Sequence, residues 1–213
     1  MKLASKWPAL VFRDIMLIAA IVLAAGKSER MGKNKLLLCF NDTTLIASVL
    51  DALAVADVKV LVLGHEAETV LEALAPRQET VRIVVNQDYR QGMTSSFQKG
   101  LRLVRHADAA FLVLGDQPIL DESLLAIMVQ KLEDDGDALI VSPVYEGKKG
   151  HPVLFRGELF DEIMSLQPTR TMRDLIHQHE DRLRTVVAPE WTTLDVDTPE
   201  DYTHILMKRQ TDR

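Results

Sequence analysis

The sequence has few cysteines, fewer basic than acidic residues, and only short apolar runs. Its single cysteine, Cys39, excludes an internal disulfide and indicates a reducing compartment such as the cytoplasm. The thiol ends an apolar stretch, residues 36–38, so we expect it to be buried and structural rather than a nucleophile. Lys and Arg number 25 against 31 Asp and Glu, and this net charge of −6 disfavours duplex nucleic acid as a ligand, which requires a basic face.

The apolar region near the N-terminus, residues 15–25, is too short to cross a bilayer, so no membrane partner is predicted. Two lysines precede it, as in a secretory signal, but Arg13 and Asp14 interrupt the pattern. Cleavage after Ala25 would also destroy the glycine loop that follows. We therefore divide the chain into an N-terminal extension (residues 1–14), a single domain (15–207) and a C-terminal tail (208–213).

Short apolar runs of strand length alternate with segments of helical periodicity. This alternation predicts an α/β fold built from βαβ units around a mostly parallel sheet. The predicted strands cover residues 18–24, 58–63, 81–85, 110–114, 138–141 and 183–187, with two further short strands within 144–155. Helices are predicted between them, including residues 66–74 and 96–104. Such sheets bind ligands beyond the carboxyl ends of their strands.

A basic glycine loop, residues 26–35, follows the first predicted strand and is suited to phosphate. Gly26 allows a sharp turn that leaves backbone N–H groups pointing outward. The loop is not a Walker A motif, because five residues separate Gly26 from Gly32. It is not a dinucleotide fingerprint either, since Ser28 stands where that motif needs its second glycine. The alternative is a basic surface turn.

Carboxylates follow two other predicted strands. Asp116 comes after residues 110–114, and a carboxylate at that edge is suited to a hard cation. It could instead cap the next helix, although Asp121 already supplies that cap. Asp195 and Asp197 alternate along an extended segment, so both should point to one side of it. The alternative for this pair is a helix N-terminus that favours acidic residues.

Two polar segments are weaker candidates for a site. Residues 86–96 follow the third strand, and we expect Thr94 or Ser95 to cap the helix after them; an ordinary strand-to-helix turn is the alternative. Residues 144–155 contain His151 in a predicted hairpin. This segment either faces a substrate or is a surface hairpin with a structural histidine.

Several of these segments together resemble one family. The string L-A-A-G-x-S-x-R-M-G-x-x-K, residues 23–35, resembles the signature loop of nucleotidyltransferases with a GT-A-like, Rossmann-like α/β fold. Residues 115–118 resemble the family's G-D-x-P motif, and residues 195–201 resemble its D-[IV]-D-T-P-E-D ending. Residues 86–96 are similar to N-P-D-x-x-x-G-M-x-S-S, although Gln87 replaces the usual proline. The G-H-P-V-L-F segment, residues 150–155, matches that of the molybdenum cofactor cytidylyltransferase-like (MobA/MocA-like) branch.

The resemblance implies a three-layer αβα sandwich whose strand ends bind a nucleotide and Mg²⁺. The implied nucleotide-binding residues are Leu23, Ala24, Ala25, Gly26, Ser28, Arg30, Lys35, Gly64, Gly92, Ser95, Ser96 and Asp116. The implied catalytic residues are Arg30 at the β- and γ-phosphates, Lys35 at the α-phosphate, and Asp116. Mg²⁺ would be held by Asp116 with Asp197, and Asp195 is the second choice. Gln117 and His151 would face the acceptor.

The resemblance further implies transfer of CMP from CTP to the terminal phosphate of molybdopterin, with release of pyrophosphate. CTP is preferred because guanylyl-transferring relatives tend to have L-A-G-G where this chain has Ala25, whose methyl group narrows the space for a base. The alternatives are a guanylyltransferase for the same cofactor and a sugar-phosphate nucleotidyltransferase. A third is a non-catalytic protein that delivers molybdenum cofactor to a xanthine dehydrogenase-type enzyme. A molybdenum hydroxylase apoenzyme is a candidate partner.

Overall fold

The computed structural model describes residues 16–40 and 42–211. The predicted N-terminal extension, residues 1–14, and the last two residues of the predicted tail lie outside this part of the chain. The described strands are β1 (Ile18–Ala24), β2 (Cys39–Phe40), β3 (Thr43–Thr44), β4 (Val58–Leu63), β5 (Arg82–Val85), β6 (Ala109–Leu114), β7 (Ile140–Tyr145), β8 (Lys148–Lys149), β9 (Val153–Arg156) and β10 (Leu183–Val187). The described α-helices are α1 (Leu45–Asp51), α2 (Ala67–Ala73), α3 (Met93–Leu101), α4 (Glu122–Asp134), α5 (Phe160–Ser165), α6 (Met172–Gln178) and α7 (Pro199–Thr211).

One large sheet forms the centre of the domain, with the strand order β10-β7-β9-β6-β1-β4-β5 and β8 attached to β7. The strands β4, β1 and β6 run parallel, as do β4 with β5 and β7 with β10, whereas β9 is antiparallel to both its neighbours. The prediction of a mostly parallel sheet is therefore confirmed. The register pairs Leu23 with Leu114 and Ala24 with Leu63, so the loops after β1, β4 and β6 leave the same edge.

Helices cover both faces of the sheet, which confirms the predicted three layers. Ile18, Ala20 and Val22 of β1 pack into a core shared with α1, α2 and α4. Ala19 and Ile21 point to the opposite core, which is shared with α3, α5 and α6. Every one of these β1 side chains is buried because both faces of the central strand are covered. This explains why β1 reads as a continuous apolar run rather than an alternating one.

Helix α3 begins earlier than predicted. It starts at Met93 rather than at residue 96, and its N-cap residue is Gly92, with no side-chain cap. The expectation that Thr94 or Ser95 caps the helix is therefore wrong. The hydroxyl of Ser95 instead donates a hydrogen bond of 2.8 Å to the carbonyl of Gly92. Gly92 has a φ of 98°, which only glycine adopts readily, and this turn determines where the helix can begin.

The strand predicted at residues 138–141 and the first strand of the predicted hairpin are one strand, β7. Pro143 suggests a break, because proline cannot donate to a ladder. It lies, however, between the stretch of β7 that pairs with β9 and the stretch that pairs with β8. Pro143 is therefore not part of either antiparallel pairing, and its missing N–H group breaks no ladder hydrogen bond with β8 or β9.

Two other sequence expectations need correction or extension. Cys39 is exposed rather than buried, because neighbouring residues of a strand point to opposite faces and Phe40, only 1% exposed, takes the inward position. Helix α7 continues through residues 208–211, which were expected to belong to the tail. No glycine or proline follows Pro199 in this helix, so nothing in the sequence ends it earlier.

Gly100 of α3 allows the helix to lie directly on the sheet, and its replacement tests this packing. A Cβ atom at this position would lie 2.4 Å from Ile21 Cγ2 and 2.9 Å from Val62 Cγ2. Gly100→Ala should therefore lower the free energy of unfolding by about 1–3 kcal/mol, as overpacked cores do. The gain of up to about 1 kcal/mol in helix propensity does not offset this clash. Chemical denaturation of the purified protein measures the difference.

Gly136 is the matched control for Gly100, because a Cβ atom there meets no described atom within 4 Å. Gly136→Ala should leave the free energy of unfolding within about 0.5 kcal/mol of the wild-type value, as surface changes usually do. Equal stabilities for the two alanine variants would contradict the assignment of Gly100 as a packing glycine.

Candidate active site

The loops after β1, β5 and β6 and the segment before α7 enclose a cavity of about 740 Å³ at the carboxyl edge of the sheet. Most of the predicted nucleotide-binding residues line this cavity: Leu23, Ala24, Ala25, Gly26, Ser28, Arg30, Lys35, Gly92, Ser96 and Asp116. Asp195 and Asp197 line it as well, whereas Gly64, Ser95, Gln117 and His151 do not.

The glycine loop turns back on itself through two short 3₁₀ turns, Glu29–Met31 and Lys35–Leu37. Ser28 takes the left-handed conformation, with φ 53°, and its hydroxyl accepts a hydrogen bond of 3.2 Å from the backbone N–H of Lys35. This bond joins the two turns. Met31 is buried against the chain segment before α7. Arg30 and Lys35 are thereby directed toward Asp197 in that segment.

Lys35 links carboxylates from two separate segments, the loop after β6 and the segment before α7. Its ammonium Nζ lies 2.5 Å from Asp116 Oδ2 and 2.8 Å from Asp197 Oδ1. Arg30 adds a second contact to Asp197, with 2.5 Å between Nη2 and Oδ2. The Lys35 side chain is only 12% exposed and that of Asp116 21%, whereas Arg30 is 69% exposed. The cluster is therefore partly shielded from water at Lys35 and open at Arg30.

These contacts set the charge states of the cluster. Burial on its own would lower the pKa of Lys35, but the charge and hydrogen bonds of Asp116 and Asp197 outweigh it and raise the pKa above the ordinary lysine value. The hydrogen bond from Lys35 lowers the pKa of Asp197 below the ordinary aspartate value. Lys35 and Asp197 are consequently ionised at neutral pH.

Asp195 has a different environment from Asp197. Its Oδ1 accepts a hydrogen bond of 2.6 Å from the side-chain amide of Gln117, which is 3% exposed. Burial, and then the charge of Asp116, raise the pKa of Asp195. Between the two acids, Val196 is fully buried in a third apolar cluster with Met31 and α7. Both carboxylates therefore point toward the cavity side, as the alternation predicts, although this segment is a loop and not a strand.

Gly115 brings the end of β6 against the end of β1. Its backbone N–H donates to the carbonyl of Leu23 over 3.0 Å, and an added Cβ would lie 2.9 Å from that oxygen. A larger residue would separate the two strand ends. The glycine of the G-D pair thus allows Asp116 to reach the loop that carries Lys35.

Two predicted nucleotide contacts have structural roles in this geometry. A Cβ atom at Gly64 would lie 2.8 Å from Ala25 Cβ and 2.9 Å from Tyr89 Cβ, so Gly64 allows these two cavity loops to approach each other. The Ser95 hydroxyl bonds within its own loop and accepts from the Asn86 amide over 3.1 Å. The same amide reaches Ser96 Oγ, also at 3.1 Å. Gly64 and Ser95 therefore do not line the cavity but hold the loops that do.

Sequence reasoning missed several lining residues, among them Tyr89, Arg90 and Met93. They belong to the polar segment after β5, and a position after a strand end could have indicated them as candidates for the cavity lining. Their side chains match no phosphate-binding or metal-binding pattern. The guanidinium of Arg90 lies 5.9 Å from the centre of the Tyr89 ring, within the range of a cation–π contact.

The two predicted acceptor contacts lie beside Asp116 but outside the lining of the main cavity. Gln117 is occupied by Asp195, as described above. His151 is mostly buried, and its Nδ1 atom has no hydrogen-bond partner within the described part of the chain. Burial lowers the pKa of His151 below the ordinary histidine value, and the charge of Asp116 only partly opposes this. His151 is therefore neutral at pH 7, and its Nδ1 atom is buried.

The donor set fits a hard divalent cation. Asp116 and Asp197 offer carboxylate oxygens, the donors that Mg²⁺ and Mn²⁺ favour. The positively charged Nζ of Lys35 lies between these oxygens, where a cation shared by both carboxylates would also lie. Within residues 16–40 and 42–211, no three His, Cys, Asp or Glu side chains cluster closely enough to hold a metal ion by themselves. Magnesium sites of nucleotide enzymes commonly combine one or two carboxylates with phosphate oxygens and water.

None of the described helices is both long enough and apolar enough to span a membrane.

Comparison with known proteins identifies related sequences. A family model described as the MobA-like NTP transferase domain matches residues 20–183. The molybdenum cofactor cytidylyltransferase of Escherichia coli (strain K12) is 29% identical, over 87% of this chain and 93% of that protein. The probable molybdenum cofactor guanylyltransferase of Mycolicibacterium paratuberculosis is 30% identical, over 83% of this chain and 88% of the relative.

Solved structures show the same fold. Rv0371c from Mycobacterium tuberculosis H37Rv superposes with a TM-score of 0.80 and 31% identity, covering 90% of this chain and 98% of that one. A complex of Rv0371c with manganese superposes with a TM-score of 0.75 and 29% identity over the same shares of the two chains. The manganese complex agrees with a divalent metal as the typical requirement of such enzymes.

Proposed function

Because this chain belongs to the MobA-like NTP transferase family and is a nucleotidyltransferase, we propose that it transfers CMP from CTP to the terminal phosphate of molybdopterin. Pyrophosphate is the second product. The observation that carries this proposal is the convergence of Lys35 and Arg30 with Asp116 and Asp197 at one cavity. We place the reaction in the cytoplasm, the compartment that the single cysteine favours.

The reaction is an in-line displacement at the α-phosphorus of the nucleotide. A terminal phosphate oxygen of the acceptor forms the new P–O bond, and the bond to the bridging oxygen of pyrophosphate breaks with its electron pair. The acceptor oxygen is already anionic, so no side chain needs to remove a proton. Catalysis then depends on positioning and on neutralising negative charge.

The basic residues of the loop have complementary roles. Lys35 contacts the α-phosphate, where charge develops as the bond breaks, and its raised pKa keeps it protonated at neutral pH. Arg30 contacts the β- and γ-phosphates, because it lies at the open side of the cluster. Asp116 and Asp197 would hold Mg²⁺, which when bound neutralises phosphate charge. Asp195 is disfavoured as a ligand since its Oδ1 is engaged by Gln117.

The acceptor binds on the His151 side of Asp116. His151 is the residue proposed for this side, and its ring would have to turn to present the buried Nδ1 atom to the acceptor. Gln117, the other residue proposed for the acceptor side, holds Asp195 at the cavity wall. A molybdenum hydroxylase apoenzyme is the proposed recipient of the product. The named activities of the relatives and the charged cluster disfavour a purely non-catalytic delivery protein.

The base preference is tested by following pyrophosphate release with each nucleoside triphosphate and the cofactor. Ala25 lines the cavity, where its methyl group would limit the room for a base. We expect kcat/KM for CTP to exceed that for GTP by at least about 10-fold, roughly 1.4 kcal/mol. Ala25→Gly should reduce this ratio.

A preference for GTP in the same assay would favour the guanylyl-transferring alternative, which the mycobacterial relative represents. Pyrophosphate release with a sugar phosphate instead of the cofactor would favour a sugar-phosphate nucleotidyltransferase.

A further inference from the structure

The same lysine is assigned to the nucleotide and is bound to both proposed metal ligands. Lys35 Nζ contacts Asp116 Oδ2 at 2.5 Å and Asp197 Oδ1 at 2.8 Å, while Arg30 covers the second oxygen of Asp197. The positive groups proposed for phosphate and the negative groups proposed for metal therefore neutralise each other within the protein.

We propose that this contact is an intramolecular lock: Lys35 keeps a divalent cation from Asp116 and Asp197 until a nucleoside triphosphate draws the lysine away. This inference rests on the proposed function and adds a regulation of the same site. It makes metal binding conditional on the nucleotide.

Geometry and charge make the two occupants mutually exclusive. Divalent cations of the Mg²⁺ type take oxygen ligands at about 2.0–2.1 Å, so a cation shared by both carboxylates would lie in the space that Nζ fills. A second positive charge in contact with a mostly shielded ammonium is strongly repelled. The Lys35 side chain is 12% exposed, so solvent screens this repulsion little.

A triphosphate is suited to release the lock. Its anionic oxygens are ligands for both Lys35 and Arg30, whose side chains line the same cavity. Arg30 is 69% exposed and held only at Asp197 among its charged partners in the described chain, so it can turn to the phosphates readily. Once Lys35 follows, the freed carboxylates and the phosphate oxygens form one ligand set. Nucleotide and metal then raise each other's affinity, as linkage requires.

The test is a Mn²⁺ titration of the full chain, in which electron paramagnetic resonance measures the free ion. Wild-type protein should bind Mn²⁺ at least about 10-fold more tightly with a non-hydrolysable CTP analogue present, after correction for Mn²⁺ bound to free analogue. Without nucleotide, Lys35→Gln should bind Mn²⁺ at least about 10-fold more tightly than wild type. Asp116→Asn added to Lys35→Gln should remove the gain.

Lys33→Gln is the matched control, because Lys33 lies in the same loop, is exposed and does not line the cavity. It should bind Mn²⁺ as wild type does, and thermal denaturation should show that all variants are folded. The lock would be rejected if Lys35→Gln, without nucleotide, bound Mn²⁺ no more tightly than wild type. It would also be rejected if none of the variants bound Mn²⁺.

The comparison of Lys35→Gln with wild type uses neither nucleotide nor acceptor. Failure of cytidylyl transfer to molybdopterin would therefore overturn the proposed function and leave the lock standing. Conversely, equal Mn²⁺ affinities with normal transfer activity would remove the lock alone.

Discussion

Replacing Lys35 by alanine should lower kcat/KM for nucleotidyl transfer by about 100- to 1,000-fold, the usual cost of losing a group that stabilises developing charge. The Lys35 side chain is mostly shielded from water, and its ammonium contacts carboxylates from the loop after β6 and from the segment before α7. No water molecule replaces such a fixed charge with equal effect, because water must reorient as the charge develops. Steady-state pyrophosphate release, with the nucleotide and the acceptor varied in turn, measures the loss.

Lys33→Ala serves as the control for Lys35→Ala, since it removes the same charge from the same loop at an exposed position outside the cavity lining. Its kcat/KM should stay within about 2-fold of wild type, because an exposed charge outside the cavity contributes little. Similar losses in both variants would show that the loop's overall charge, and not the position of Lys35, supports the reaction.

Replacing Asp116 by asparagine should lower kcat by about 1,000-fold, which corresponds to roughly 4 kcal/mol of barrier. The substitution keeps the size of the side chain but removes the charge that pairs with Lys35 at 2.5 Å and that suits a hard cation. Raising the concentration of Mg²⁺ or Mn²⁺ should recover part of the activity if the loss lies in metal affinity. Transfer assays across a metal titration measure both effects.

Asp121→Asn is the control for Asp116→Asn. Asp121 lies in the same strand-to-helix loop, and its carboxylate caps α4 by accepting from the N–H of Ser123 over 2.9 Å. Asparagine is also a good N-cap residue, so this variant should keep near wild-type stability and activity. Unchanged transfer by Asp116→Asn, with the fold intact, would exclude Asp116 from the reaction.

The structure brings some of the predicted site residues into direct contact and gives others a role in packing. The Lys35, Arg30, Asp116 and Asp197 side chains meet directly, which the separate motifs required but did not demonstrate. The family resemblance implies Gly64 and Ser95 as nucleotide contacts, and in the structure Gly64 allows close loop packing while the Ser95 hydroxyl bonds to Gly92. A position after a strand brings a residue to the ligand edge of the sheet. Whether its side chain faces the cavity depends on the residues packed around it.

Local sequence patterns were enough to predict the elements that short-range forces control. Apolar runs and their spacing identified β1, β4, β5 and β6, and the glycine loop together with the G-D pair identified the ligand edge. These features depend on residues close in the chain, where strand period, glycine conformation and capping act. The boundaries it missed, at α3 and β7, are those where Gly92 and the change of strand partner at Pro143 override local preference.

Which charged side chains share the cavity depends on contacts between distant segments of the chain. Arg30 and Asp197 are 167 residues apart, and Gln117 and Asp195 are 78 apart. Their contacts depend on the placement of β1 between β6 and β4 and on the burial of Val196 against Met31. Such contacts are set by packing of distant segments and by side-chain orientation, to which the local pattern is insensitive. The sequence pattern therefore predicted both aspartates before α7 as site residues. The structure shows that Asp197 contacts Lys35 and Asp195 contacts Gln117.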